Sequence, residues 1–310
     1  MNTKVVLAGG TGTMGLILQA HFAAQGNEVV VLSRRPREQH PKARMVPWDG
    51  RTAGAWCAEL EGAAVLINLV GRSVDCRYTA ANKAAILHSR VDATRALGEA
   101  VARCTTPPPV WINLSSATVY RHAEDRPMDE ATGELGHDFS SGVVLAWEQE
   151  FFRHQRPGVR QVAVRCAMVF SRHGGAFPRF AQLVLMGLGG HHGSGRQYVS
   201  WVHEADVARF FQWLARTPLE GIINLAAPHP VTERELMRGL RDRIRPLVAF
   251  DVPERMLAIG AFFLRTETEL VLKSRRVVPT RALQLGYTFE HEHLNSALDD
   301  LLQPHKTTAR

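Results

Sequence analysis

The chain has 310 residues, 45% hydrophobic and 22% charged, with 25 glycines and 16 prolines, an ordinary globular balance with enough length to bury a full core. The formal net charge of +7 invites a nucleic-acid reading, yet residues 1 to 150 hold 15 basic against 16 acidic side chains and residues 151 to 310 hold 22 against 14, so the excess is scattered through the second half and points to no nucleic-acid partner. Four separated cysteines, Cys57, Cys76, Cys104 and Cys166, lack any Cys-x-x-Cys, and no apolar run reaches about 18 residues, so we expect no disulfide framework, zinc site or membrane span, but a soluble, untargeted protein of the reducing cytoplasm.

In chain order, the β-rich runs Lys4 to Ala8, Glu28 to Leu32, Arg44 to Val46, Val65 to Leu69 and Val110 to Leu114 alternate with helical periodicity over Met14 to Gln25 and Thr79 to Arg103. Strands that are apolar on both faces and separated by helices predict an α/β fold, a doubly wound parallel sheet of Rossmann type. Pro107, Pro108 and Pro109 stop the long helix ahead of its strand. Further on, strands are predicted at Gln161 to Val169 and Gly221 to Leu225, and helices near 141–155, 204–216 and 232–244. Residues 172–200 read as a Gly- and His-rich loop with one short helix from Phe177 to Met186, and the chain after Pro253 as mainly helical. The expected organisation is a dinucleotide-binding domain over 1–230, a small helical C-terminal substrate lobe over 231–302 and a polar tail over 303–310 that frays.

The strongest chemical signal is Gly9-Gly10-Thr11-Gly12-Thr13-Met14-Gly15, a G-x-x-G-x-x-G placed directly after the first strand and at the opening of a helix. Gly9 permits the tight turn, Gly12 lets backbone approach a pyrophosphate, and Gly15 lets the helix pack closely, with the helix N-terminus facing the phosphates. About 20 residues on, an acidic residue would accept hydrogen bonds from the ribose of NAD. Here the second strand ends Ser33-Arg34-Arg35, which suits a 2′-phosphate and predicts NADP(H). Asp49, beside Trp48, is either an adenine contact or, next to Gly50, a turn residue.

At Leu114-Ser115-Ser116-Ala117-Thr118-Val119-Tyr120 the chain resembles the extended short-chain dehydrogenase/reductases, the nucleotide-sugar epimerase and dehydratase family. The resemblance implies that Ser116 hydrogen-bonds the substrate oxygen, as the catalytic serine, with Ser115 beside the cofactor. It also implies a base, the tyrosine of Tyr-x-x-x-Lys, about 25 residues later. That pair is absent: Phe139 to Ser141 stand at the tyrosine site and Val143 to Leu145 at the lysine site, and none of Tyr78, Tyr120, Tyr198 and Tyr287 has a lysine four residues on.

A narrower group, the atypical "epimerase family" proteins, is similar over nearly the whole chain. The likeness is carried by Asn68-Leu69-Val70-Gly71, Ser89-Arg90, Trp147-Glu148, Gly174-Gly175-Ala176, Gly195-Arg196-Gln197, Ser200-Trp201-Val202-His203 and the terminal run from Arg276 to Leu298. It implies NADP contacts at Ser33, Arg34, Leu69, Val70, Gly71, Arg90 and Val169, and a C-terminal domain of unknown function. Val70 and Arg72 depart from the group's usual Ala and Glu.

Other candidates have plainer readings. Tyr120 is structural in the wider family, Cys166 reads as a buried inert thiol, and loop solvation accounts for His137, Asp138 and Glu148. Tyr78 can face the substrate cleft. His173, His191, His192 and His203 lack metal-ligand spacing, so no metal is expected: the pair His191-His192 reads as a solvent-facing loop, and His203 as a helix-start residue with Asp206 complementing the dipole. Arg234, Arg238, Arg241 and Arg245 share one helical face that reads as solvated. The expected function is NADP(H)-dependent redox or epimerase chemistry on a small substrate, which the basic second half permits to be anionic. The rival is a non-catalytic NADP(H)-binding or redox-sensing protein.

Overall fold

The computed structural model describes residues 3–36, 43–253 and 273–303. Its centre is a seven-stranded parallel sheet built from β1 (Lys4–Ala8), β2 (Glu28–Ser33), β3 (Arg44–Pro47), β4 (Val65–Asn68), β5 (Val110–Ser116), β6 (Arg160–Cys166) and, out of numerical order, β11 (Gly221–Leu225). The strand order is β11-β6-β5-β4-β1-β2-β3, with Val6 of β1 opposite Val30 of β2 and Leu66 of β4. The winding therefore reverses between β1 and β4, the place where doubly wound sheets bind ligands at strand C-terminal ends.

Alternation along each strand feeds two cores. Val5 and Leu7 join Leu18 and Phe22 of α1 (Thr13–Ala24) and Phe210, Phe211 and Leu214 of α5 (Glu204–Arg216) on one face. Val6 and Ala8 join Ala93, Leu97 and Val101 of α2 (Ala80–Arg103), with Trp111 and Phe151, on the other. Phe151 belongs to α3 (Phe139–Phe152), which Asp138 caps by accepting from Ser141 N at 2.9 Å. All seven strands of this sheet pair in parallel, as the doubly apolar runs predict.

The run expected as one strand from Gln161 to Val169 is two. Ala167 N donates to Leu225 O at the end of β11, and the next residue's N–H turns away to Ser200 O. The chain so leaves the main sheet and becomes β7 (Met168–Ser171), which joins β8 (Gly174–Gly175) and β10 (Trp201–His203) in a small separate sheet. Around it a third core gathers α4 (Phe177–Leu185), α6 (Glu233–Ile244) and α8 (Leu294–Leu302), with Phe170 and Trp201 stacked at 5.6 Å. The short pair β9 (Tyr198–Val199) and β12 (Val231–Thr232) leads into α6, which Thr232 and Glu235 start with a reciprocal capping box. This core draws on residues both before and after position 230. The stretch after Pro253, expected to be mainly helical, lies outside the described residues over 254–272; over 273–303 it holds only two short helices, Thr280–Gln284 and Leu294–Leu302, with extended or turn backbone around them. The tail beyond Gln303 lies wholly outside the described residues. Among the described residues no helix is long and apolar enough to cross a membrane.

The C-terminal segment, including α7 (Thr280–Gln284), returns to the first core through Ala282, Tyr287 and Phe289. His203, 2% exposed, caps α5 by accepting from Ala205 N at Nδ1. Its neutral ring therefore carries the proton on Nε2, 3.2 Å from Asp300 Oδ2 of α8. The His291 ring lies 3.9 Å away. Asp206 lies in the first turn of α5, as expected of a residue complementing the dipole, and also accepts from the backbone N–H groups of Glu290 and His291. Burial, then the neighbouring His291, hold His203 down to about 4. An unfolded histidine titrates near 6.5, so as pH falls the unfolded chain takes the proton first. The His203 contribution is complete above about pH 6.5 and is lost towards pH 4, by no more than about 3 kcal/mol. Urea unfolding at pH 7 and pH 4.5 should show that loss, and His203→Asn, which keeps a capping carbonyl, should reduce the pH difference.

Candidate active site

The glycine turn is built as a cradle. Gly9 has φ +75°, and a Cβ there would lie 2.8 Å from Val70 Cγ2 and 2.9 Å from Val70 Cα, so the ends of β1 and β4 touch only because side-chain volume is missing. Gly15 is more constrained, because its Cβ would sit 1.9 Å from the Gly10 carbonyl oxygen. Its role is thus to let α1 fold back on the turn itself, where closeness to the strand was expected. Buried Gln19, which sequence patterning missed, donates to that same carbonyl at 2.6 Å. Gly12 has nothing within 4 Å of its added Cβ and no side chain caps α1. Thr11 and Gly12 are exposed, and Thr13 and Met14 half-buried, at a helix N-terminus open to an anion. The turn between β7 and β8 closes over it, for a Cβ on Gly174 would lie 2.5 Å from Thr13 Oγ1. This brings the strand of Val169 to the same cradle.

Next along the sheet edge, Ser33 ends β2, and its hydroxyl accepts from Arg35 N at 3.2 Å. Arg34 and Arg35 are exposed, and no carboxylate among the described residues pairs with either. Asp49 resolves towards its turn role: its oxygens accept from Arg51 N, Thr52 N and Thr52 Oγ1 at 2.7–2.9 Å. At the end of β4, Leu69 N donates to Ala8 O and Val70 N to Asn68 Oδ1. Asn68, fully buried, is held by Asn113 and Thr94. Arg90 packs beneath Gly71, 3.0 Å from where a Cβ would be. It donates to the carbonyls of Arg72 and Ile86 and lies over the Trp147 ring at 5.2 Å. Burial holds its guanidinium down to about 10. A surface arginine paired with a neighbouring acid would show neither feature.

At the end of β5, two adjacent serines part company. Ser116 is half-buried, and its Oγ accepts from Thr118 N at 3.3 Å and from Thr118 Oγ1 at 3.0 Å, which leaves its own proton to donate. Ser115, expected beside the cofactor, turns inward, and its hydroxyl donates to Glu148 Oε1 at 2.6 Å. Glu148 is not a solvated loop residue but lies in α3, 5% exposed, and takes two hydrogen bonds from Arg165 at 2.9 and 2.8 Å. Burial opposes the charge on Arg165, yet the bonds from Glu148 keep its pKa above the ordinary range. Arg165 also donates to the Tyr120 hydroxyl, which donates to Asn224 Oδ1. Tyr120 is wholly buried with its phenol pushed up by burial, as a structural residue should be. Burial alone pushes the Cys166 thiol up to about 12.

Residues 5–226 match the model of the NAD dependent epimerase/dehydratase family, and residues 252–301 a domain of unknown function, DUF1731. The chain belongs to the NAD dependent epimerase/dehydratase family. Epimerase family protein SDR39U1 of Bos taurus is 31% identical over 305 residues, spanning 96% of this chain and 99% of that protein. Epimerase family protein YfhF of Bacillus subtilis is 30% identical, spanning 98% and 99%. The crystal structure of human SDR39U1 (isoform2) with NADPH aligns over 96% of this chain and 99% of that one, with a TM-score of 0.86 and 28% identity. UDP-N-acetylglucosamine 4-epimerase from Bacillus cereus, at 14% identity over 97% of this chain and 95% of that one, shares the fold with a TM-score of 0.74.

In this epimerase/dehydratase family member α3 begins Phe139-Ser140-Ser141. Phe139 meets the Tyr78 ring edge-on at 5.0 Å, with the Lys83 ammonium 5.1 Å above it. His137 is exposed, whereas Asp138 is the helix cap and pairs with Lys273. His192, expected in solvent, is 1% exposed and pairs with equally buried Glu233 at 3.0 Å, while His191 pairs with Asp251 at 2.7 Å. The arginine face of α6 is only partly solvated: Arg241 donates to Gly189 O and Arg234 to Ser194 O, tying down the histidine loop.

His203, His291 and Asp300 bring three ligand atoms within 4.8 Å of one another, a grouping invisible in sequence spacing. A metal on His203 Nε2 would need the ring proton on Nδ1, where Ala205 N–H already points, and Arg172 holds the same Asp300 oxygen at 2.9 Å. The trio is held as a latch by the close contact of His203 with Asp300 and the ring contact of His203 with His291.

Removing one partner of a buried pair leaves the other charge uncompensated. Glu148→Ala should therefore cost about 3–5 kcal/mol in urea unfolding. The double change Glu148→Leu with Arg165→Met should cost clearly less than the sum of the two single truncations.

Proposed function

We propose that this protein binds NADP(H) and carries out NADP-dependent oxidoreductase or epimerase chemistry on a small substrate, with Ser116 orienting the substrate oxygen. The observation that carries the cofactor choice is the end of β2, where Arg34 and Arg35 stand exposed and no carboxylate among the described residues pairs with either. The human relative's crystal structure with NADPH supports it. The residues fit such a cofactor: an open Gly12, an α1 N-terminus without a side-chain cap, and Arg90 beneath Gly71.

In this reading the first-turn N–H groups of α1 and Arg90 hold the diphosphate, Ser33, Arg34 and Arg35 the 2′-phosphate, and the turn Leu69-Val70-Gly71 and Val169 flank the rest. NADPH, when bound, supplies a hydride. Ser116, fixed by Thr118 with its proton outward, donates a hydrogen bond to a substrate carbonyl. The C-terminal lobe covers the substrate side, and its basic surroundings admit an anionic small molecule. Neither nucleic acid nor membrane enters this reading, and its setting is the cytoplasm. A second reading is favoured by α3, which offers Phe139 and two serines where a tyrosine base would stand: a non-catalytic NADP(H)-binding or redox-sensing protein.

Charge-assisted hydrogen bonds are worth about 1.5–3 kcal/mol each, or roughly ten- to a hundredfold in affinity. Fluorescence titration should show NADPH binding at least about tenfold tighter than NADH, with Arg34→Ala removing most of the difference. Equal affinity for the two would defeat the assignment. Turnover of carbonyl compounds that Ser116→Ala abolishes would select the enzyme over the sensor.

A further inference from the structure

Hydride transfer to a carbonyl needs a proton donor, and α3 supplies no tyrosine or lysine for it. Among the titratable groups around the Ser116 turn, Tyr120 is sealed between Arg165 and Asn224, Glu148 is locked to Arg165 and Ser115, Cys166 is buried and protonated, and Tyr78, edge-on to Phe139, keeps its hydroxyl buried from the solvent that would reprotonate it. The C-terminal domain brings one more group to this place. Residues 274–278 zip onto the loop that leaves the Ser116 turn: Ser274 N donates to His122 Nδ1 at 3.1 Å, Ser274 Oγ to Ala123 O at 2.6 Å, and Met128 N to Arg276 O at 2.7 Å. This fixes the backbone next to Lys273, whose side chain is 12% exposed and forms an ion pair with Asp138 at the cap of α3.

Asp138 stands one residue before Phe139, at the end of α3 that packs on the Ser116 turn through Ser141 and Thr118. Asp138 Oδ1 accepts from Ser141 N and stands 3.1 Å from Ser141 Oγ, Ser141 Oγ is 3.1 Å from Thr118 O, and Thr118 Oγ1 reaches Ser116 Oγ at 3.0 Å. We propose that Lys273, delivered by the C-terminal domain, is the proton donor of the Ser116 site and stands in for the missing Tyr-x-x-x-Lys pair. This rests on the reading of the site as an NADPH-dependent carbonyl reductase. As the carbonyl carbon takes a hydride from the nicotinamide, the C=O electron pair passes to oxygen. The oxygen takes a proton from the Lys273 ammonium: an N–H bond breaks and an O–H bond forms. The neutral amine regains its proton from solvent beside Asp138, whose side chain is 34% exposed.

The charged and titratable groups facing Lys273 suit that role. Asp138 on α3 favours the ammonium, while burial and the Arg275 guanidinium two residues along hold it down to about 8. His122, on the opposing loop, accepts from Ser274 N, with Glu124 3.9 Å from its other nitrogen. An acid that titrates near the working pH is an efficient donor.

Two measurements on the full chain test this. In protein carrying lysine labelled with carbon-13 at Cε, the resonance lost in Lys273→Arg should titrate near pH 8. A midpoint at or above the ordinary lysine value of about 10.4 would overturn the assignment. NADPH oxidation is then followed with nitrobenzaldehyde, phenylglyoxal and pyruvate. Wild-type kcat/KM should fall above about pH 8, and Lys273→Met should lower it about 100-fold and remove that limb, with NADPH affinity unchanged as the control for folding. Lys273→Arg should move the limb upward. Normal turnover in Lys273→Met, alongside inactive Ser116→Ala, would overturn this inference and leave the reductase reading standing. A wild-type chain that reduces none of the three would overturn both.

Discussion

The buried pair of Glu148 and Arg165 holds four separate pieces of the molecule in one place. Glu148 comes from α3 and Arg165 from β6, and through them Ser115 of β5 and Tyr120, just beyond the Ser116 turn, are fixed by hydrogen bonds. Two charges at 5% exposure are costly to desolvate and stand only when every donor and acceptor is answered. Here the carboxylate accepts from Ser115 and twice from Arg165, and the guanidinium also reaches Tyr120, whose hydroxyl goes on to Asn224 of β11. The position of Ser116, one residue past Ser115, follows from this network. A serine can be aimed at a substrate only if its strand end cannot shift, and the neighbouring hydroxyl is what pins it.

A different constraint governs the cofactor half. The β1 and β4 ends approach so closely at Gly9 and Val70 that a single Cβ would part them. Asn68, braced by Asn113 and Thr94, holds the β4 turn from below, and Gln19 holds the glycine turn from the helix side. These amides are buried. They satisfy backbone and side-chain groups that the tight crossing would otherwise leave unpaired. The cradle is therefore rigid before any ligand arrives, so less ordering free energy is lost on binding.

What could be read from the sequence, and what could not, divides along contact range. The strands of the main sheet, the order of helices and the glycine turn depend on period and on residues adjacent in the chain, and these emerged within about three residues of their observed ends, whereas the short strands β8, β9, β10 and β12 did not emerge. The break at Ala167 did not, because nothing local marks it: the deciding partners are Leu225 and Ser200, far along the chain. Glu148 looked like a solvated loop residue because Arg165 lies 17 positions away on another element. His192 looked solvent-facing because its glycine neighbours imply a loop, whereas Glu233, 41 positions on, draws it into the interior. In the last two cases a polar residue was placed outside by its local company and brought inside by a distant partner of complementary charge or hydrogen-bonding type. A single sequence gives the residue type but not the partner.

The same logic changes the meaning of the C-terminal domain. As a sequence it reads as a small appended lobe, yet its residues complete structures begun elsewhere. Tyr287 and Phe289 fill the main core, Leu294, Leu298 and Leu301 fill the third core, Asp300 receives His203, and Lys273 reaches Asp138. His203 ends β10, whose register sets Val202 beside Val169 and His203 beside Phe170, so the latch to Asp300 is one residue from the strand that flanks the cofactor cradle. Displacing the domain would therefore disturb two places at once: the β7 edge over the glycine turn and the α3 end that packs on the Ser116 turn. Walls shared in this way tie the Ser116 turn to residues on both sides of position 230, so neither part of the chain fixes it alone.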